Sequence, residues 1–369
     1  MSRALSQVWA VVLLLAVTGC ATVAPEEQAR RNRVLRDYEE ALTALRSGNY
    51  PEARDRLDAA LAVIGSNSAG DASARESRGL FNPESVKTFR GEPYERVMAY
   101  YYRGLLYWMD GEPDNARAAF RSAALQDTDP ENGITECDWV LLDYLEGLAT
   151  IKLGGDGRDA WRRATNSARL NPPPPPDPSV NVLFFLEMGR GPVKYADGEF
   201  GERLKFRPGT APDPVAVIHV GDQTLHVGPL DDLTYQATTR GGRVMDHVLQ
   251  GKAVFKGTTD TLGTAAIVAG SALAIAGNSN ATRNAGMGVA LAGLVTKAIS
   301  AATTPAADTR QWSNLPNLLA FAALRLPPGV HTATVEFRSP TGQVRVTRQA
   351  RFHVVPGRDT VLFLSDRNS

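Results

Sequence analysis

The side chains able to do chemistry are few, and their spacing assembles no catalytic group. His219 and His226 flank a predicted turn, and the acidic pair Asp231-Asp232 follows closely. Four such groups could converge on a metal, but polar residues around an ordinary surface hairpin give the same pattern, and no metal is expected. His247 falls in a helical stretch, and His331 and His353 fall in strand-like ones. No histidine pair has the helical spacing of a zinc protease, and there is no cysteine cluster, no Gly-x-Ser-x-Gly elbow and no Gly-x-x-x-x-Gly-Lys phosphate loop. Gly189-Arg190-Gly191 and Gly241-Gly242 are too short to signal a nucleotide. Residues 335 to 369 carry six Arg against three acids, with Arg345 and Arg351 on one strand face and Arg348 on the other. This reads as an edge strand protected by charge. No enzyme and no cofactor are expected.

One cysteine does point to chemistry. Arg3 gives the chain a positive start, and Val8 to Val17 form an apolar run of ten residues. That is too short for a permanent span, which needs roughly 20. The run ends in Val17-Thr18-Gly19-Cys20, which resembles a bacterial lipobox, so residues 1–19 are expected to be a lipoprotein signal peptide and Cys20 the site of lipid attachment. Ala21, rather than the Asp that retains lipoproteins in the inner membrane, favours the outer membrane. Removal of residues 1–19 leaves 39 basic and 40 acidic residues, and gives no electrostatic case for nucleic acid. Cys137 is then the only thiol left, so no internal disulfide is expected, and it reads as a small apolar residue at a helix start.

The elements behind these residues begin with a helical pattern that occurs three times. Leu35, Tyr38, Leu42 and Leu45 recur as Met98, Tyr101, Leu105 and Trp108, and again as Leu141, Tyr144, Leu148 and Ile151. Steps of three, four and three residues form one apolar stripe on a helix. Small residues run beside each stripe: Ala41 and Ala44, Gly104, and Gly147. In the second copy Tyr100, Gly104, Tyr107, Gly111, Ala116, Phe120 and Ala123 stand at the spacings of the tetratricopeptide signature, and the third copy is degenerate around Gly155. Phe120 is expected to fill the layer between repeats. The tyrosines are 63 and 43 residues apart instead of about 34, so residues 65–92 and 127–133 read as inserted loops.

The expected organisation is a multi-domain α + β protein. A tether occupies 20–33, a tetratricopeptide-like array of α-helical hairpins 34–171, and a polyproline linker 172–178. A mainly antiparallel β domain fills 179–369, with a Gly/Ala-rich helical hairpin inserted at about 243–302. Strands are expected over 180–186, 215–220, 223–227, 323–326, 330–337, 343–354 and 360–364, while 189–207 reads as a loop. The hairpin arms, 262–276 and 285–302, span roughly 22 and 27 Å. They are expected to be buried or to cover the sheet, because a span needs about 30 Å.

Gly91-Glu92-Pro93-Tyr94-Glu95-Arg96 running into Tyr100-Tyr101-Tyr102-Arg103-Gly104-Leu105 forms one characteristic block. Ala307-Asp308-Thr309-Arg310-Gln311-Trp312, Asn314-Leu315-Pro316 and Leu326-Pro327-Pro328-Gly329 form another. Together they resemble an uncharacterised family of bacterial outer-membrane lipoproteins with a tetratricopeptide-like N-terminal half. The resemblance implies an outer-membrane, periplasm-facing protein and brings no catalytic residues. In such arrays the first helix of each hairpin lines the concave face. The stripe residues are therefore the candidates for a groove that binds a cell-envelope partner protein, while the acyl chain holds the bilayer. Two readings compete with that non-enzymatic scaffold. The chain's own C-terminal half could cover the stripe, or the hairpin at 262–302 could make the protein a membrane-associated or oligomer-forming structural component.

Overall fold

A computed structural model describes residues 24–65, 76–127, 137–239, 244–276 and 278–368. The signal segment, Cys20 and Gly241-Gly242 lie outside the described residues. The first helix, α1 (Pro25–Arg31), falls within the stretch expected to be a tether, and its Arg31 is buried. Three helical hairpins follow: α2 (Arg33–Arg46) with α3 (Tyr50–Ile64), α4 (Pro93–Met109) with α5 (Pro113–Asp127), and α6 (Val140–Lys152) with α7 (Arg158–Ser167).

The hairpins share one register, set by their turns. Gly48, Gly111 and Gly154 each stand ten residues after the stripe tyrosine and have φ of 77°, 83° and 81°, a conformation that only glycine adopts cheaply. Their N–H groups donate to the carbonyls of Leu45, Trp108 and Ile151, the last stripe residue in each copy. The next N–H, of Asn49, Glu112 and Gly155, reaches five residues back to Ala44, Tyr107 and Thr150, closing the same Schellman turn three times. Phe120 lies on Gly104, where an added Cβ would come within 2.6 Å of its ring. It packs inside its own hairpin, against Tyr101 and Trp108, because Gly104 leaves room for the ring there.

The C-terminal half forms two four-stranded sheets. β1 (Val182–Met188) pairs in parallel with β10 (Thr360–Ser365) and antiparallel with β7 (Leu318–Leu324), which also carries the short β6 (Asp231–Asp232). β4 (Val215–Val220), β5 (Gln223–Val227), β8 (Gly329–Arg338) and β9 (Val344–Val354) form an antiparallel sheet in the order β5-β4-β8-β9. Strand alternation divides β1 between two cores. Val182, Phe184, Leu186 and Met188 pack against the second sheet, while Leu183 and Phe185 pack against the helices. The result is three layers, helices on sheet on sheet, with the middle sheet buried on both faces.

Residues 189–207 are not a loop throughout. β2 (Val193–Asp197) and β3 (Arg203–Arg207) form a ribbon. Its buried inward residue in β2 is the charged Lys194, so the stretch lacks the apolar alternation that marks a strand. The arms of the hairpin are longer than expected. After α8 (Leu233–Thr239), its arms are α9 (Val244–Ala276) and α10 (Asn280–Ala302), about 50 and 35 Å long. The apolar pattern alone missed the basal turns of α9, which carry Lys252, Lys256 and Asp260.

Candidate functional site

The stripe residues share one hydrophobic core with the middle sheet. Tyr38, Leu42, Leu45, Met98, Tyr101, Leu105, Trp108, Leu141, Tyr144 and Leu148 are buried, and Leu35 and Ile151 are half-buried against the same core. The concave face is thus filled by the chain itself, which corrects the expectation of an open groove. Tyr101 meets Phe185 at 6.2 Å between ring centroids, and Tyr144 meets Phe321 at 5.6 Å. At the first repeat the occupant is the extended segment that precedes β7. Trp312 stacks on Tyr38 with centroids 4.3 Å apart and planes 14° from parallel. Asn314 Nδ2 donates to the Glu39 carbonyl and to Thr43 Oγ1. This is an aromatic anchor on a tetratricopeptide-type face, supplied in cis.

Buried charges fix the seam, and the two characteristic sequence blocks meet there. Glu95 accepts from Lys194 Nζ at 2.6 Å and from the Trp312 N–H at 2.7 Å, with both charged side chains almost wholly buried. Glu187, on the helix-facing side of β1, accepts from Arg46 and from the Tyr102 hydroxyl at 2.8 Å. Burial first, and Glu187 second, push the Tyr102 phenol well above its usual range, so it stays a donor. Asp359 accepts from Trp108 Nε1 at 2.9 Å and from Lys152 Nζ at 2.8 Å. All three repeats are therefore tied to the β domain. A glutamate at the end of the apolar run Val182-Leu-Phe-Phe-Leu-Glu-Met was the available signal for Glu187. Nothing in the sequence links Glu95 to Lys194.

Asp231 closes this set. Its carboxylate accepts from the N–H groups of Val140 and Leu141 at 2.9 and 2.8 Å, at the start of α6. Desolvation dominates and pushes its pKa up to about 7, against the lowering effect of those two bonds and with help from Asp138 and Asp127. Asp143 moves the same way, to about 6, again chiefly by burial. A carboxyl whose folded pKa exceeds its unfolded value favours folding most when protonated, and this advantage disappears as pH rises through the folded pKa. Going from about pH 5.5 to about pH 7 is expected to cost on the order of 1.5 kcal/mol through Asp231 alone. Urea melts across that range check it, and Asp231→Asn should flatten the slope.

The four metal candidates do not converge. Asp231 caps α6, the Asp232 carboxylate accepts from the Thr234 N–H, and His219 Nδ1 bonds Thr224 Oγ1 across the β4–β5 hairpin, where His226 opposes Val217. Cys137 is mostly buried, which pushes its thiol far up.

The exposed feature is the hairpin. Four glycines bring its arms together: a Cβ on Gly270 would lie 2.7 Å from the Gly286 carbonyl, and one on Gly263 would lie 3.0 Å from that of Gly293. Among the described residues of 261–296 these glycines are the only buried ones. Val268 and Ile275 are 64% and 80% exposed, and Leu262, Leu273, Met287, Val289, Leu291 and Leu294 are also in solvent. This corrects the expectation of a buried or sheet-covering hairpin. Glycine-lined arms bury their backbones against each other, with Ile267 packed beside Gly293, and leave most of the larger side chains pointing outward. The base is polar and fixed. Lys252 Nζ donates to the carbonyls of Ser77 and Asn82, and Lys256 Nζ to those of Ser300 and Thr303.

Residues 38–82 and 84–132 match the tetratricopeptide repeat family, in agreement with the first two hairpins. No curated protein and no solved structure matches the chain. Tetratricopeptide repeats are in general non-catalytic modules that bind protein partners, so the N-terminal half of this chain carries an interaction-scaffold module whose concave face its own β domain occupies.

Proposed function

We propose that this protein is a non-enzymatic scaffold of the bacterial cell envelope. It is anchored by lipid at Cys20 to the outer membrane, faces the periplasm, and holds out the Gly/Ala hairpin as its working surface for assembly with envelope components. One observation carries this reading: the repeat face is already filled, whereas the hairpin exposes a continuous apolar surface from a polar, hydrogen-bonded base. Monomeric soluble proteins rarely leave so much apolar surface in water. The buried charge pins make the repeats and the sheets a rigid mount. The lipobox and the family resemblance support the anchor and its location.

Replacing residues 261–296 by a short Gly/Ser turn tests this. The Asp260–Lys297 ion pair, 3.5 Å in the native chain, would then close the shortened hairpin. The truncated protein is expected to keep its melting temperature and to lose its place in high-mass envelope complexes. Complexes of unchanged size in extracts from cells carrying the truncation would remove the hairpin from the account.

A further inference from the structure

The hairpin's surface has the composition and length of a membrane element. Val248–Ala276 and Asn280–Ala302 are long and apolar enough to cross a membrane: 18-residue windows within them have mean hydropathies of 1.4 and 1.5, and only 11% and 17% of those windows is buried. A core helix of a soluble protein would be mostly buried, so that explanation does not fit. Between Asp260 and Lys297 the sole charged residue is Arg283, beside the polar tip Asn278-Ser279-Asn280. Both arms run about 25 Å from the Asp260–Lys297 pair to this tip. That length is close to the roughly 25 Å apolar band of bacterial outer-membrane proteins and well beyond a single leaflet.

The polar groups on the arms are also arranged for hydrocarbon. Thr261, Thr264 and Thr296 turn their hydroxyls back to the carbonyls of Gly257, Asp260 and Ala292, four residues earlier. Two exposed apolar residues flank the polar base on one side. Leu80 and Phe81, 40% and 54% exposed, belong to a loop whose carbonyls accept from Thr304 just past α10. The same loop receives the N-terminal helix: Arg31 bonds Glu76 and Val86 O, next to Ser77, whose carbonyl takes Lys252. From α1 back to Cys20 is only a few residues, at no more than about 3.5 Å each. That length leaves an acyl chain on Cys20 within reach of the membrane surface the hairpin would enter.

We infer that residues 261–296 cross a lipid bilayer tip first, with the Asp260–Lys297 pair at the near headgroups and the tip, with Arg283 in the first turn of α10, at the far ones. This rests on the hairpin being the working surface, and it names the bilayer as what covers it. Arg283 and the tip asparagines reach water on the far side, and the exposed valines, leucines and isoleucines face acyl chains. Close glycine packing lets both arms cross as one thin unit.

Single cysteines at Val268, Ile275 and Val344, in the full chain carrying Cys137→Ser, would be labelled with an environment-sensitive fluorophore. The protein would then be added to vesicles of phosphatidylethanolamine with phosphatidylglycerol. Val268, about 12 Å from Asp260, is expected to be quenched most by mid-chain spin-labelled lipid and Ile275 by headgroup-labelled lipid, while Val344 on β9 stays aqueous. Val268→Asp, on an exposed site that tolerates charge in the soluble fold, is expected to weaken vesicle binding through the hairpin roughly a hundredfold with an unchanged circular dichroism spectrum. Aqueous signals at all three positions, shielding that appears without vesicles as copies associate, or indifference to Val268→Asp would overturn the bilayer as occupant. If the 261–296 truncation still dissolved the envelope complexes in that case, the hairpin would be a protein contact and only this inference would fall.

Discussion

Glu187→Ala is expected to destabilise the protein by about 3–5 kcal/mol, the cost of removing one member of a buried ion pair. The Arg46 side chain is 4% exposed, and without Glu187 it keeps only the Asn314 carbonyl, which it reaches at 2.8 Å. The Tyr102 hydroxyl loses its acceptor at the same time. Arg46 ends α2, Tyr102 lies within α4 and Glu187 is on β1, so one substitution loosens two repeats from the middle sheet. Glu187→Gln should be milder, since an amide oxygen still accepts from Tyr102 but leaves the guanidinium unneutralised. Chemical denaturation of the three proteins measures this, and equal stabilities would mean that the pair contributes nothing to holding the halves together.

Trp312→Ala is expected to cost a similar 3–5 kcal/mol, by emptying the space against Tyr38. Trp312 is 2% exposed, stacks on Tyr38, meets Tyr102 at 5.9 Å between centroids, and donates its backbone N–H to Glu95. Because the backbone bond survives the substitution, the loss reports the ring. Trp312→Phe should recover most of it, and a Tyr38→Ala/Trp312→Ala double variant should lose less than the sum of the single ones, as contacting residues do. Additive losses would mean that the two rings do not share one site.

Much of the fold is legible in the sequence because its signals are local. The stripe tyrosine with a glycine ten residues on writes each repeat turn into a short stretch, and Pro-Gly turns delimit the C-terminal strands. The state of the groove is not local. Tyr38, Tyr101 and Tyr144 have the same composition and spacing whether they meet a partner or the chain's own sheet. The residue that decides it, Trp312, lies in an extended segment with no periodicity, hundreds of positions away. Lys194 and Glu95 are 99 positions apart, and a buried lysine erased the alternation by which β2 could have been read. The hairpin's Ala/Gly content was visible, but the length of its first arm was hidden by Lys252, Lys256 and Asp260. These charges make the base polar without breaking the helix.

The repeat face is occupied in cis and is not free for a partner. Thr43 and Asn314, whose side chains lie 3.2 Å apart at the rim of the first repeat, provide the direct measurement. In cells producing the full chain with Thr43→Cys and Asn314→Cys, mild oxidation is expected to form an intramolecular disulfide rapidly, to near completion, and independently of expression level. Free thiols at both positions, or disulfides to another copy or another protein, would show that the segment around Trp312 does not fill the groove and would return the repeat face to the list of binding surfaces.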